Sequence, residues 1–284
     1  SGNTAEITGL DSTTTYYWWV RAVCGEDDKS SWLGSSFQTG QVPATFPYAD
    51  NFDTAQWSFG NGSEANKFYI GTPTASGNIT FEGNKLFVSQ NGTEASYIGG
   101  TQSDIYAYRD ITLPADLTLA KLSFDWVARG ETGAFDYGRF FITSTDHNVL
   151  GGTEINRTDE NVPGAYFNAM NEHRTNNNFA FYTTTAYEAG TFNEKSHQYL
   201  KEDIDLSAYA GQTVRLVFYW RNDTGIQNQP SLVVDNFAID YAPSCLTPTN
   251  LATSNVTYNA ATISWTGNSD TYSYVVSTTN EAPT

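Results

Sequence analysis

"VRLVFYWRNDTGIQNQPSLVVDNFAI", residues 214–239, sets two apolar runs around a polar loop. Both runs are rich in β-branched and aromatic residues, which fit a pleated, half-buried surface. The Asn, Asp and Gly between them are turn formers. The same kind of run recurs outward along the chain, at 67–71, 84–90, 95–99, 105–111, 120–128, 139–144, 179–184 and 199–204. With 214–220 and 232–241 this makes ten predicted strands. No window sustains an apolar period of 3.6 residues, so almost no helix is expected. Strands without helical crossovers predict two packed antiparallel sheets, an all-β jelly-roll sandwich over 46–242. The stretch 143–148 carries capping residue types but no apolar-periodic segment follows it, so it reads as a turn. The widest loop territory is 148–178, polar and rich in Gly and Asn.

The 284 residues carry 14 Lys and Arg against 31 Asp and Glu, a formal net charge of -17. Such a field repels phosphate, and no basic stripe offsets it, which excludes nucleic acid as a partner. Aromatic residues reach 15%. No apolar run is long enough to span a bilayer, and no signal peptide is present; membrane insertion by this segment is not expected. Ser1 reads as a cut inside a longer polypeptide. The two cysteines, Cys24 and Cys245, sit outside any zinc-type cluster.

The two ends differ from the middle. Residues 10–39 contain Tyr16, Trp18, Val20 and Ala22 in alternation, six positions after Leu10. They resemble the E–F corner, F strand and G strand of a fibronectin type III module, with Tyr16 at the tyrosine corner. Residues 245–284 resemble strands A to C of the same module, with Trp265 as the B-strand core tryptophan and Tyr272, Tyr274 and Val276 alternating on C. The expected organisation is therefore half a module over 1–40, a complete jelly roll over 46–242, and half a module over 245–284. In secreted bacterial relatives a Cys before strand A often pairs with one after strand F. By that resemblance Cys245 and Cys24 are the two halves of such a disulfide, belonging here to different copies. The halves could also rebuild one permuted module with a Cys24–Cys245 bond. Connections 40–46 and 242–244 reach only about 33 Å at roughly 3.3 Å per residue, short for joining opposite poles. That span argues against the permuted module; pairing with segments outside the chain, or between molecules, stays open.

Four stretches of the middle region carry a further resemblance. They are "YADNFDTAQW" (48–57), "SDIYAYRDITLP" (103–114), "LSFDWVARGETGAFDYGRFFI" (122–142) and "DIDLSAYAGQTVRLVFYWRNDTGIQNQPSLVVDNFAI" (203–239). In order and spacing they resemble the cleaved-adhesin or choice-of-anchor J domains of Bacteroidetes surface proteins, relatives of the concanavalin-like MAM domain. The resemblance covers about two thirds of the chain. It implies an extracellular, secreted or surface-held module that adheres to a glycan or to a host or extracellular protein. It leaves two alternatives: an accessory domain of a secreted protease or glycosidase, or a spacer without ligand.

Catalytic motifs are absent. His147, His173 and His197 lie in separate polar segments without nucleophile or base spacing. Glu131 and Asp136 are the best carboxylate pair for glycoside chemistry, and the resemblance assigns that segment no catalytic role. Calcium, which takes six to eight oxygens, is the expected structural ion. In a jelly roll the first and last strands are neighbours, so Asp50 and Asp53 could meet Asp235 and Asn236; the resemblance implies an ion in about this place. Turn capping is the plainer role for the same residues. Trp126 and Trp220 alternate with apolar residues and read as core. Trp57, Tyr106 and Tyr137, with Tyr108, Tyr166 and Tyr187, are loop or edge candidates for stacking on sugar, although a sandwich this aromatic holds most rings inside. Arg221 and Asp223, in "WRNDTG", form a polar fork at a strand end that could contact ligand.

Overall fold

The computed structural model describes residues 4–54, 56–131, 133, 135–155, 162–169, 181–242, 247–267, 269 and 271–279. Two six-stranded sheets pack face to face. The first contains β4 (Tyr48–Asp50), β6 (Lys67–Gly71), β8 (Lys85–Ser89), β10 (Leu119–Val127), β14 (His197–Asp205) and β16 (Val233–Tyr241). Its order is β14-β10-β16-β8-β6, with β4 continuing beside β16. The second contains β3 (Ala44–Thr45), β5 (Ser58–Gly60), β9 (Ser103–Thr112), β11 (Tyr137–Ser144), β12 (Ala165–Ala169) and β15 (Thr213–Asn222). Its order is β12-β11-β15-β9-β3, with β5 also on β9. The all-β sandwich expected from the run pattern is present.

Alternation explains the packing. Inward residues from both sheets, among them Leu86, Phe124, Trp126, Phe140, Phe218, Trp220, Val234 and Phe237, form one buried core. Each such side chain stabilises the fold by about 1.5–3 kcal/mol relative to exposure. The runs at 214–220 and 232–241 do not pair with each other, because β15 and β16 belong to different sheets. Their loop therefore crosses one end of the sandwich.

Two smaller layers cover the outer faces. Outside the second sheet, Val149, Ile155 and Val162 pack on Tyr106, Tyr137, Phe141, Val217 and Tyr219. A Cβ on Gly60 would stand 1.6 Å from the Val149 carbonyl oxygen, so the strap at 149–155 lies directly on the backbone of β5. Outside the first sheet, β7 (Ile79–Thr80) pairs in parallel with β13 (Gly190–Thr191), and the short helix α1 (Phe192–Lys195) that follows brings Phe192 onto Ile79, Phe87, Val127 and Val233.

Three local readings are corrected. The predicted run 179–184 is no strand over its described part, 181–184, where Phe181 and Thr183 make isolated bridges to Gly138 and Arg129. Residues 95–99 are not a strand: the N–H groups of Ile98 and Gly99 go to the side chains of Asn66 and Gln227 rather than to a ladder. The polar territory at 148–178 contains β12, which pairs antiparallel with β11. Its strand signal was hidden by surrounding Gly and Asn. His173 and most of 156–180 lie outside the described residues.

At the ends, β1 (Thr15–Val20) pairs with β2 (Leu33–Gln38), and β17 (Thr249–Ser254) pairs with β18 (Thr262–Thr266). The Tyr16 hydroxyl accepts the Asp11 N–H at 2.9 Å. Trp18, Trp19, Trp32, Ile263 and Tyr274 are exposed. A two-stranded sheet is marginal alone, so each of these faces is short of a partner layer. Cys24 is an exposed free thiol. Cys245 lies outside the described residues.

Candidate functional site

The loop 223–230 crosses the sandwich end between β15 and β16, and carboxylates hold it in one shape. Asp136 accepts the Tyr97 hydroxyl at 2.6 Å through one oxygen and the Asp223 N–H at 3.0 Å through the other. The Tyr97 hydroxyl in turn accepts the Asn228 N–H at 2.8 Å. Glu131 accepts the Ile226 N–H, and the Asp223 carboxylate accepts the Gly225 N–H at 2.6 Å. Burial pushes the Asp136 carboxyl up to about 6, with the Asp223 and Glu131 charges adding to the rise against the two hydrogen bonds. Burial likewise raises Tyr97, and the Asp136 charge adds to it. Both Asp136 oxygens are therefore engaged in shaping the loop, and the Glu131–Asp136 pair presents no free acid and base to a sugar ring.

Arg221 stands next to this loop at the end of β15. It reaches Glu154 at 3.1 Å and Asp104 at 3.8 Å, and donates to the Phe135 carbonyl. Around it the loop offers exposed Ile226 and Gln227 and half-exposed Glu131 and Asp223, while Glu154 reaches in from the strap. The result is a rim of acceptors with one guanidinium, suited to hydrogen-bonding hydroxyl or amide groups.

Tyr106 and Tyr137 belong to the same end but not to the surface. Their hydroxyls donate to the Thr153 and Ile155 carbonyls, and the Ile155 N–H donates to Tyr219. Both are fully buried under the strap, and Trp57 is 5% exposed in the core. Trp57 donates its indole N–H to Asp50 at 3.1 Å and packs on Phe218 and Phe237. The expectation that Trp57, Tyr106 and Tyr137 stack on sugar is corrected: Tyr106 and Tyr137 lie beneath the strap, and Trp57, just ahead of β5, packs among Phe52, Phe218 and Phe237. Arg221 and Asp223 are the two residues of the expected ligand set that reach the surface together.

The expected calcium ligands do not converge. Asp50 lies opposite Phe237 in the pairing of β4 with β16, so it shares the inward face. Its oxygens take the Tyr48 hydroxyl, the Phe52 N–H and the Trp57 indole. Asn236 has φ 51° and sits at a register shift between β16 and β10, an added residue that turns Asp235 to the outer face. There Asp235 meets the Lys85 ammonium at 2.8 Å, near the Phe192 ring. Lys85 also donates to the Glu82 and Asn84 carbonyls at 2.6 and 3.2 Å. The Asn236 amide goes to Asp125, and Asp53 accepts the Asn51 amide. A sheet separates Asp50 from Asp235, and an ammonium already fills the space beside Asp235. These residues do not fit a shared calcium ion, and the four-residue metal site is corrected on that ground.

No family model and no curated protein matches the chain. Among solved structures, the K1 cleaved adhesin domain of Lys-gingipain from Porphyromonas gingivalis W83 is similar at 15% identity, covering 69% of this chain and 98% of that one, with a TM-score of 0.36. The carbohydrate-binding module TmCBM61, solved with β-1,4-galactotriose, is similar at 9% identity, covering 65% and 88%, with a TM-score of 0.32. The glycoside hydrolase domain of Endo-D from Streptococcus pneumoniae R6 is similar at 11% identity, covering 75% of this chain and 27% of that one, with a TM-score of 0.34. Among the described residues no helix is long and apolar enough to cross a membrane.

Proposed function

We propose that the chain is a non-catalytic binding module that engages a glycan or an extracellular protein surface through the rim formed by Arg221, Asp223, Glu131, Glu154 and Gln227. One observation carries this reading: loop 223–228 is fixed from beneath by Asp136 and Tyr97 while its outer residues stay exposed. A loop already held in one conformation loses little freedom on binding. The engaged state of Asp136 supports binding rather than bond cleavage. The proposal includes a secreted or surface-held parent protein, with the flanking strands as pieces of neighbouring fibronectin-like modules.

The test is a screen of the whole chain on glycan and extracellular-matrix protein arrays, repeated with Arg221→Gln and Gln227→Ala. Binding that falls about tenfold or more in Arg221→Gln or Gln227→Ala, with the circular dichroism spectrum of the folded chain retained, supports the rim. Binding indifferent to both substitutions moves the site elsewhere, and silence across both arrays favours a spacer.

A further inference from the structure

The free edge of β9 is covered by two short strands that leave a gap between them. β5 pairs Ser58 with Tyr108, and β3 begins by pairing Ala44 with Ile111. Arg109 and Asp110 lie in the interval. Gln41 bridges it with its side chain, donating to the Tyr108 carbonyl at 2.9 Å and accepting the Asp110 N–H at 2.9 Å. Asp110 is bound by Arg215 through two contacts, at 2.7 and 3.0 Å.

Arg109 shares the inward parity of Ile105, Ala107 and Ile111, so its side chain enters the sandwich at this gap. It is 8% exposed. Among the described residues it has no carboxylate partner, unlike Arg215 and Arg221. Its terminal nitrogens reach neutral groups, Gln41 Oε1 at 3.1 Å, the Val42 carbonyl at 2.8 Å and Gln56 Oε1 at 3.4 Å, and the guanidinium lies 5.8 Å from the centre of the neutral Tyr48 ring. Its Nε has no partner. Asp50 makes no ion pair with it, its oxygens being engaged by Tyr48, Phe52 and Trp57. In a chain of net charge -17 a buried guanidinium without a counter-charge is out of keeping with its surroundings, since buried charges are ordinarily paired.

The gap opens into a cleft of about 390 Å³ whose polar lining is Ser12, Thr13, Gln41, Gln56, Ser58 and Arg109, with Val42 and an edge of the largely buried Trp57 completing the wall. Its polar groups are hydroxyls and amides around one cation. We propose that this cleft binds an acidic sugar, with the carboxylate of a uronate on Arg109 and its hydroxyls on the neutral polar groups. A guanidinium suits a planar carboxylate, the volume lies in the range of small-molecule sites, and the amide and hydroxyl lining suits a polyhydroxylated ring. The site is distinct from the rim and does not depend on it.

Calorimetric titration of the whole chain with glucuronate, glucose and acetate tests this. Glucuronate is expected to bind about tenfold or more tightly than either of the others. Gln56 is exposed, so Gln56→Glu is tolerated by the fold and places a carboxylate at the guanidinium; it is expected to abolish glucuronate binding. Arg221→Gln is expected to leave it unchanged, which separates this site from the rim. The proposal is overturned if glucuronate does not bind, if glucose or acetate binds equally well, or if Gln56→Glu binds as the parent does.

Discussion

Replacing Lys85 by methionine removes the ammonium while keeping most of the stem. In the native fold that ammonium lies 2.8 Å from Asp235, with side-chain exposures of 5% and 8% for the pair. Among the described residues Asp235 Oδ1 has no hydrogen-bond partner, so Lys85 is the main compensation for this carboxylate. Lys85→Met also strands the Glu82 and Asn84 carbonyls. Breaking one side of a buried ion pair costs about 3–5 kcal/mol, because the remaining charge stays desolvated. For a unit of roughly 200 residues, at about 2–4 °C per kcal/mol, the melting midpoint should fall by about 10 °C. Urea titration should show a lower midpoint with an unchanged slope. A double variant, Lys85→Met with Asp235→Leu, should lose less than the sum of the single changes, since no charge is left behind. A loss under about 1 kcal/mol in Lys85→Met would refute the reasoning. So would a wild-type midpoint that drops in chelator, because a divalent ion would then be supplying the counter-charge.

Two further outcomes follow from the packing. Asp136 has an ordinary value of 3.8 raised to about 6, so the folded chain holds this proton more tightly than the unfolded chain. Its contribution to stability is greatest below about pH 4 and declines as pH rises through 6; relative to wild type, Asp136→Asn should therefore gain on the order of 2 kcal/mol between pH 4 and 7. Urea midpoints of both proteins across that range check it, and a difference that does not change with pH counts against it. Gly60→Ala drives a methyl into the Val149 carbonyl, a backbone atom that cannot rotate away. It should cost about 3 kcal/mol and raise hydrogen exchange selectively at 149–155, with uniform exchange across the sandwich as the contrary result.

Most strands were legible because alternation is a local property. In "LSFDW" and "LVFYW" the aromatic and aliphatic residues repeat at two, and both segments became central strands with Trp126 and Trp220 inside. Strand β12 was not legible, since its five residues sit among turn formers and are fixed by pairing with β11 rather than by propensity. The same locality misled the site reading. Nothing near Tyr106 or Tyr137 in the chain announces that residues 149–155 will cover them.

The sequence by itself determined an all-β chain, its acidic surface and the inward faces of its long strands. Each depends on composition or on a period of two, which side-chain geometry imposes wherever the strand ends up. Tertiary structure decided what the polar residues do. The added residue at Asn236 puts Asp50 and Asp235 on opposite faces of a sheet, and at the gap between β5 and β3 Arg109 meets no carboxylate among the described residues. Charge partners are set by distances across strands that are remote in sequence, and a one-residue change of register is enough to exchange one partner for another.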